Sequence, residues 1–417
     1  MPAWLEEVPL VMAYRVAKLL ATKSYLPRTA SLPATFMRGG TSNGLLIHRH
    51  HLPADPKSWQ PILSSCMGSP DHYGRQLNGM GSGLSSTSKV VVVSKSERVG
   101  IDVDYTFIQV GIKNGELDMA GNCGNMSAAV GPFAVDEGLI EPNPNPRNHN
   151  NNNDDGNVTV KMFNTNTSKT IHATFPITTQ TTNQSNKSGT LKHDPIGSYA
   201  ISGVPSTGSL ITLSFLNPGG ATTGKTLPTG NPIDTLTLPN GSEIEATLTD
   251  IANPGIFVRA SDLNIPRDIS SATLSEDVEV MDRLDTIRRA GARKMGLDPD
   301  VQSVPKIVLL SPPSAEEVGE GVNIVCRALS MGQPHRAVPL TLALNLGVSC
   351  GLEGTLGNQL AVGVEGGKKG KGRVVIAHPS GHVEVGFTKG EKDGEVQSVE
   401  MGRTGRVLMK GEVFYEV

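Results

Sequence analysis

The sequence predicts an α+β fold in two similar halves, with many short strands and a buried helix in each. Three observations point there. The chain has 47 glycines and 28 prolines but only 4% aromatic residues, which means many turns between short strands. Several segments repeat apolar residues with strand period. Two helix candidates, far apart in sequence, are apolar enough to be buried. At 417 residues the chain also exceeds what one core comfortably supports, so two domains are expected.

The strands come first. "SKVVVVS" (88–94) is apolar throughout, as a buried strand is. "VDYTFIQVGI" (103–112) carries Val103, Tyr105 and Phe107 in one phase and Ile108, Val110 and Ile112 in the other. That switch predicts a bulge near Phe107–Ile108. "NVTVKMF" (157–163), "LITLSF" (210–215), "PKIVLLS" (305–311), "GHVEVGF" (381–387) and "GEVFYEV" (411–417) are also strand-like.

The helices are few. Residues 275–297 place acids early and Arg288, Arg289, Arg293 and Lys294 late, which complements the helix dipole. Met281, Leu284, Ile287 and Met295 share a face, and Gly296 suits the cap. A second helix opens within "NCGNMSAAVGPFAVDEGL" (122–139), where Met126, Ala129, Val130 and Phe133 recur at helical spacing. Pro132 lies inside it and should kink it. "PLTLALNLGVSCGL" (339–352) is apolar nearly all round and should be wholly buried.

Three segments, 143–157, 178–189 and 363–373, are low in complexity and cannot bury a core. They are expected as loops between strands. Residues 12–36 carry Arg15, Lys18, Lys23 and Arg28 and no acid, as mitochondrial transit peptides do. A disordered or helical extension in a cytoplasmic protein is the alternative. Glu6 and Glu7 upstream count against targeting if Met1 is the start.

Composition excludes several classes. A net charge of −3 argues against nucleic acid as the main partner. No apolar run reaches the length of a membrane span. Four cysteines without paired spacing read as free thiols in a reducing compartment. With no CxxC or HExxH pattern, no metal site is expected.

Candidate chemistry clusters in Gly-rich loops. Asn122-Cys123-Gly124-Asn125 stands where a loop becomes a helix. Free N–H groups and the dipole there favour an anion, either a thiolate or a bound carboxylate. Local sequence leaves Cys123 open between a buried structural thiol and a catalytic one. Cys326 and Cys350 lie in apolar runs and read as core, and Cys66 is ambiguous. Lys89 enters an apolar strand after four small residues with hydroxyls, including Ser88. Desolvation would disfavour its charge and make it a base; the alternative is a lysine reaching the surface from a strand end. "FMRGGTSNGLLI" offers Arg38, Gly39, Gly40, Thr41 and Ser42 as an anion-binding turn. "NPGGATTGKTLPTG" carries Lys225, and "SMGQPHRAVPLT" puts His335 and Arg336 just ahead of the third helix. Any one of these is equally readable as a surface loop; together they supply several cations.

The combination resembles the PrpF family, within the diaminopimelate-epimerase-like superfamily. The matching stretches include "MRGGTSNG", "MGSPDHYGRQLNGMGSGLSSTSKVVVVS", "NCGNMSAAVGPFAVDEGL", "NPGGATTGKTLPTG", "NPGIFVRASDL", "SMGQPHRA" and "GRVLMKGEVFYEV", in the family's order. The resemblance implies two pseudo-symmetric domains, each a β-sheet or barrel wrapped around a central helix, with the active site between them. It implies an extension over 1–30, a domain over 31–205, a second over 206–395, and a last strand (396–417) returning to the first. It implies cofactor-independent isomerisation of the C=C bond of a small di- or tricarboxylate, of the aconitate or 2-methylaconitate type.

Lys89 and Cys123 would then be the acid–base pair. Arg38, Gly39, Thr41, Ser42, Ser88, Asn122, Gly124, Asn125, Lys225 and His335 would hold substrate. Epimerase relatives pair two cysteines; here the second helix start reads "HRAVPLT", without one. Asn43, Asn78 and Ser206 also depart from common family residues and bear on substrate identity, not reaction class. An amino-acid epimerase or racemase, or a non-catalytic accessory protein for an aconitase-like dehydratase, are the alternatives. A homodimer is a further expectation.

Overall fold

The computed structural model describes residues 29–140, 156–180, 190–364, 370–391 and 395–417. The basic segment 12–28 and most of the three low-complexity segments lie outside them. The first strands are β1 (Thr29–Gly39), β2 (Ser42–His48), β3 (Lys89–Lys95), β4 (Val103–Val110), β5 (Leu117–Asp118), β6 (Asn157–Asn164), β7 (Lys169–Gln180), β8 (Thr190–His193) and β9 (Ile211–Leu216). Next come β10 (Asp234–Thr237), β11 (Glu243–Ile251), β12 (Asn253–Arg259), β13 (Lys306–Ser311), β14 (Ile324–Ser330) and β15 (Gln333–Pro334). The last are β16 (Lys371–His378), β17 (Gly381–Lys389), β18 (Val396–Arg403) and β19 (Gly405–Glu416). The longer helices are α1 (Trp59–Met67), α2 (Gly124–Asp136), α3 (Val278–Lys294) and α4 (Leu340–Gly351). This is a mixed fold of helix and strand with one large sheet.

The sheet contains two runs. In the first, β1, β2, β3, β4, β6, β7 and β9 pair in that order: antiparallel, parallel, antiparallel, parallel, antiparallel, antiparallel. In the second, β11, β12, β13, β14, β16, β17 and β18 pair in the same series of directions. β9 and β18 join the runs antiparallel. The C-terminal strand β19 lies antiparallel on β1, with Thr29 opposite Glu416.

Helices α2 and α4 lie in one apolar core. Every α2 residue from Gly124 to Val135 is buried, as is every α4 residue from Leu340 to Cys350. Pro132 inside α2 costs about 3 kcal/mol of helix propensity. Burying Met126, Val130, Phe133 and Val135 returns roughly 1.5–3 kcal/mol each, so packing decides the helix. Gly131 is needed for that packing, because a Cβ there would lie 2.7 Å from the Phe175 ring.

Two expectations change. The bulge at Phe107–Ile108 is absent, since β4 pairs with β3 in unbroken register from Gln109 to Val103. The phase switch arises because β4 is covered on both faces. Val103, Tyr105 and Phe107 join the core around α2, while Ile108 and Val110 join the core under α1. The helix expected from residue 275 begins at Val278, capped by the Asp277 side chain, which accepts from the Val280 N–H. Residues Ser271–Glu276 form a separate short helix.

Gly44 brings β2 close to the start of β3. A Cβ there would lie 2.3 Å from the Lys89 carbonyl oxygen. Gly44→Ala should therefore cost about 1–3 kcal/mol in urea unfolding, as other overpacked sites do. An unchanged midpoint would mean that the two strands have room to separate.

Candidate active site

The site lies where the starts of α2 and α4 meet. A Cβ on Gly124 would fall 2.3 Å from the Leu340 side chain, so glycine is what lets the two ends abut. Cys123 is the N-cap of α2, and Pro339 is the N-cap of α4. Both line a cavity with Lys89, Lys306, His335, Asn122 and Asn125. Hydroxyls of Ser42, Ser85, Ser86, Ser303 and Ser330 surround them. Among the described residues no Asp or Glu lines it.

Lys89 opens β3 and is 6% exposed. Its Nζ donates to Gln109 Oε1 at 2.6 Å and stands 5.0 Å from the Phe107 ring centroid. Gln109 is itself fixed, because its Nε2 donates to the carbonyls of Ser85 and Ser88 at 3.1 and 2.8 Å. Burial lowers the Lys89 pKa, and the Cys123 thiol, within hydrogen-bonding reach, draws it partly back. Lys306 opens β13 as Lys89 opens β3. Its Nζ donates to the Ser303 carbonyl. Burial first, then Lys89, lowers its pKa to about 8, against the pull of Cys123 and Asp118.

His335 Nδ1 accepts from the Ala337 N–H at 3.1 Å, which leaves Nε2 as the N–H donor of the neutral ring. Burial pushes its pKa down to about 4, with Lys89 and Lys306 adding to the shift, so it is neutral at pH 7. Asn122 is gripped from the second run of strands. Its N–H donates to Asn253 Oδ1 at 3.0 Å, and its carbonyl accepts from Asn253 Nδ2 at 2.7 Å. Asn125 Nδ2 donates to Thr41 Oγ1 at 3.1 Å, and its Oδ1 accepts from Arg403 Nε at 3.0 Å.

Lys89, Cys123, Ser42, Asn122, Gly124, Asn125 and His335 thus converge on one cavity. Five other candidates stand apart from its wall. Arg38 directs its Nη1 to the carbonyls of Gly40 and Thr404 and the Thr404 hydroxyl, at 2.9–3.0 Å. Gly39 packs on the Asn125 carbonyl, and Thr41 supports the Asn125 side chain. Ser88 bonds Gln76 and the Val110 carbonyl. Lys225 is exposed, on a loop pinned by Asp250 Oδ2, which accepts from the N–H groups of Thr222 and Thr223. Local sequence alone does not reach Lys306, Gln109 or Asn253. A signal for Lys306 does exist: like Lys89, it is a lysine entering an apolar strand.

The remaining thiols are set apart by burial. It pushes Cys66 and Cys326 up to about 12, and Cys350 up as well. None of the three lines the cavity. Among the described residues, no group of three His, Cys, Asp or Glu side chains could hold a metal ion.

The architecture is that of the epimerase and racemase fold. A hydroxyproline epimerase from Agrobacterium vitis, 10% identical, matches with a TM-score of 0.52 over 93% of each chain. The chain belongs to the PrpF family, whose description is "PrpF protein" and whose profile matches residues 29–416. A 2-methyl-aconitate isomerase from Shewanella oneidensis is 36% identical over 93% of this chain and 97% of its own length. The crystal structure of a methylitaconate-delta-isomerase, 30% identical, matches with a TM-score of 0.68 over 93% of this chain and 96% of its own. The curated relatives are bacterial, and they give the mitochondrial expectation no support.

Asn253 is 1% exposed and satisfies both backbone groups of Asn122. Asn253→Leu would strand them, at about 1–3 kcal/mol each. We expect a clear fall in thermal midpoint, with activity reduced at temperatures where the variant stays folded. Full activity and an unchanged midpoint would show that Asn122 keeps its place without the clamp.

Proposed function

We propose that the protein is a cofactor-independent isomerase that shifts or reconfigures the C=C bond of a small tricarboxylate by allylic proton transfer. One observation carries this: two lysines, one buried and one half-buried, a thiol and a neutral histidine wall a cavity that, among the described residues, no carboxylate lines. Such a wall fits a substrate that brings several negative charges.

The chemistry follows from the positions. One member of the Lys89–Cys123 pair takes a proton from an sp3 carbon beside a carboxylate and the double bond. The C–H electron pair spreads over the allylic system into that carboxylate as a dienolate. A proton then returns to the far carbon, which shifts the bond. It returns instead to the original carbon, after rotation, when only geometry changes. No atom or electron is lost, so proton carriers suffice. Charge grows on the carboxylate, where Lys306, the His335 Nε2–H and the backbone N–H groups opening α2 stabilise it. The relatives' names include a methylaconitate and a methylitaconate as substrates of isomerases. Aconitate and 2-methylaconitate differ by one methyl group, which an apolar pocket discriminates by only about 1–3 kcal/mol.

The cavity measures only about 40 Å³. An apolar cavity that binds benzene measures roughly 150 Å³. A six-carbon acid therefore enters only when the walls part. We further infer two pseudo-equivalent halves, supported by the repeated pairing directions and by the two lysines opening β3 and β13. On that view Cys123 and Pro339 hold equivalent places. The racemase alternative needs a thiol where Pro339 stands. The expected divisions at 206 and 396 then move to about 217 and 404, so that β9 and β18 each close their own half.

Lys89→Ala and Cys123→Ser should each slow turnover of aconitate-type acids by about 10²–10⁴-fold. Deuterium uptake from heavy water, followed by NMR, should fall with it. Normal exchange in both variants would remove the pair from the mechanism. Lys306 is cationic only below its pKa of about 8. KM should therefore rise as pH passes 8, and Lys306→Gln should raise KM at neutral pH and flatten that rise. A wild-type KM that is level from pH 7 to 9 would exclude Lys306 as a carboxylate holder.

A further inference from the structure

Behind the start of α2 lies a second cavity, of about 290 Å³, walled by Thr41, Tyr199, Ser202, His378 and Arg403. Arg403 ends β18 and is 5% exposed. Its Nε donates to Asn125 Oδ1 at 3.0 Å, and Nη1 donates to the Gly402 carbonyl at 2.9 Å. A guanidinium has five N–H donors, so Nη2 and its edge remain. Among the described residues no Asp or Glu forms an ion pair with it, and the Tyr199 side chain on the same wall is uncharged at pH 7. Burial lowers its pKa to about 10, which leaves it cationic at pH 7.

The other charged groups around the cavity do not neutralise it. Glu384 pairs with Arg373. Glu320 and His382 are exposed at the rim. Burial and the charge of Arg403 push His378 down to about 3, so it is neutral. A buried guanidinium without a counter-charge costs several kcal/mol, and an anion in the adjoining space removes that cost.

We propose that this cavity is a second anion site, separate from the catalytic one, in which Arg403 grips a small oxyanion through its free Nη edge. The planar fork suits a carboxylate of a small acid or inorganic phosphate equally. The site is coupled to the catalytic cavity through one side chain. Asn125 reaches Arg403 with its Oδ1 and Thr41 with its Nδ2, while it also lines the catalytic wall. An anion on the Nη edge keeps the Nε–Asn125 bond and steadies the start of α2.

Binding is the readout, so the result stands apart from the isomerase reading. The full chain carrying Lys89→Ala is titrated calorimetrically with tricarballylate and, separately, with inorganic phosphate. Arg403→Met on that background should weaken the bound anion by about thirtyfold or more. Because Arg403→Met also frees Asn125, a second variant is needed. Ala200 lines the cavity and is exposed, so Ala200→Glu places a tethered carboxylate at its mouth without burying it. That variant should abolish the binding that Arg403→Met weakens, leave in place the tricarballylate held in the catalytic cavity, and raise the thermal midpoint. Saturable binding lost in both variants supports the site, and the tighter anion names its source. No saturable binding, or binding unchanged in Ala200→Glu and Arg403→Met, overturns it.

Discussion

The geometry of the candidate site hangs on one buried amide. Asn253 opens β12, yet its side chain closes on the backbone of Asn122, the residue before Cys123. The same Nδ2 reaches Thr341 Oγ1 at 3.2 Å, one residue into α4. Its own carbonyl accepts from Asn345 Nδ2 at 2.9 Å, two helical turns from the start of α4 at most. One residue of the second run therefore sets where both helices begin. Each bond is worth only about 0.5–1.5 kcal/mol net, but none of these groups can find water if the amide is lost. That asymmetry makes the clamp rigid out of proportion to its energy.

A rigid frame makes the electrostatics possible. Burial lowers the Lys89 pKa, and burial with the charge of Lys89 lowers that of Lys306 on the same cavity. Two ammonium groups held in low dielectric repel, and the fold keeps them there because each strand start is fixed by its neighbours. Gln109 is oriented by two carbonyls and offers Lys89 an uncharged acceptor. A carboxylate in place of Gln109 would pin the ammonium and hold its pKa high. The neutral amide leaves the lysine free to give up its proton, as the proposed role requires.

What the sequence made legible was local. Cys123 and Lys89 each sit at a junction whose chemistry is written in adjacent residues: a loop becoming a helix, and a hydroxyl-rich loop becoming an apolar strand. Loops with cations were not decipherable in the same way. Arg38 and Lys225 both lie in Gly-rich turns that would suit an anion. Arg38 bonds Thr404, and Asp250 pins the loop on which Lys225 is exposed; nothing near them in sequence says so. Asn253 was out of reach for the same reason, since its contacts join positions 131 residues apart. The bulge misjudged at Phe107–Ile108 has a related origin. Periodicity reports which faces are buried, and it cannot separate a bulge from a strand covered on both sides.

The two N-caps are unlike, and that difference carries the last step. A racemase must deliver protons to both faces of one carbon, so two like bases facing each other suit it. In the proposed reaction a proton leaves one carbon and returns to the same or a neighbouring one, and the charge between those events rests on a carboxylate. A second base is then dispensable, and a second cation is not. Pro339 at the α4 cap and Lys306 at the start of β13 fit that trade. The proline brings no acid or base to the second helix start. The lysine lines the same cavity as the pair, where a cation would hold the carboxylate on which the dienolate charge collects.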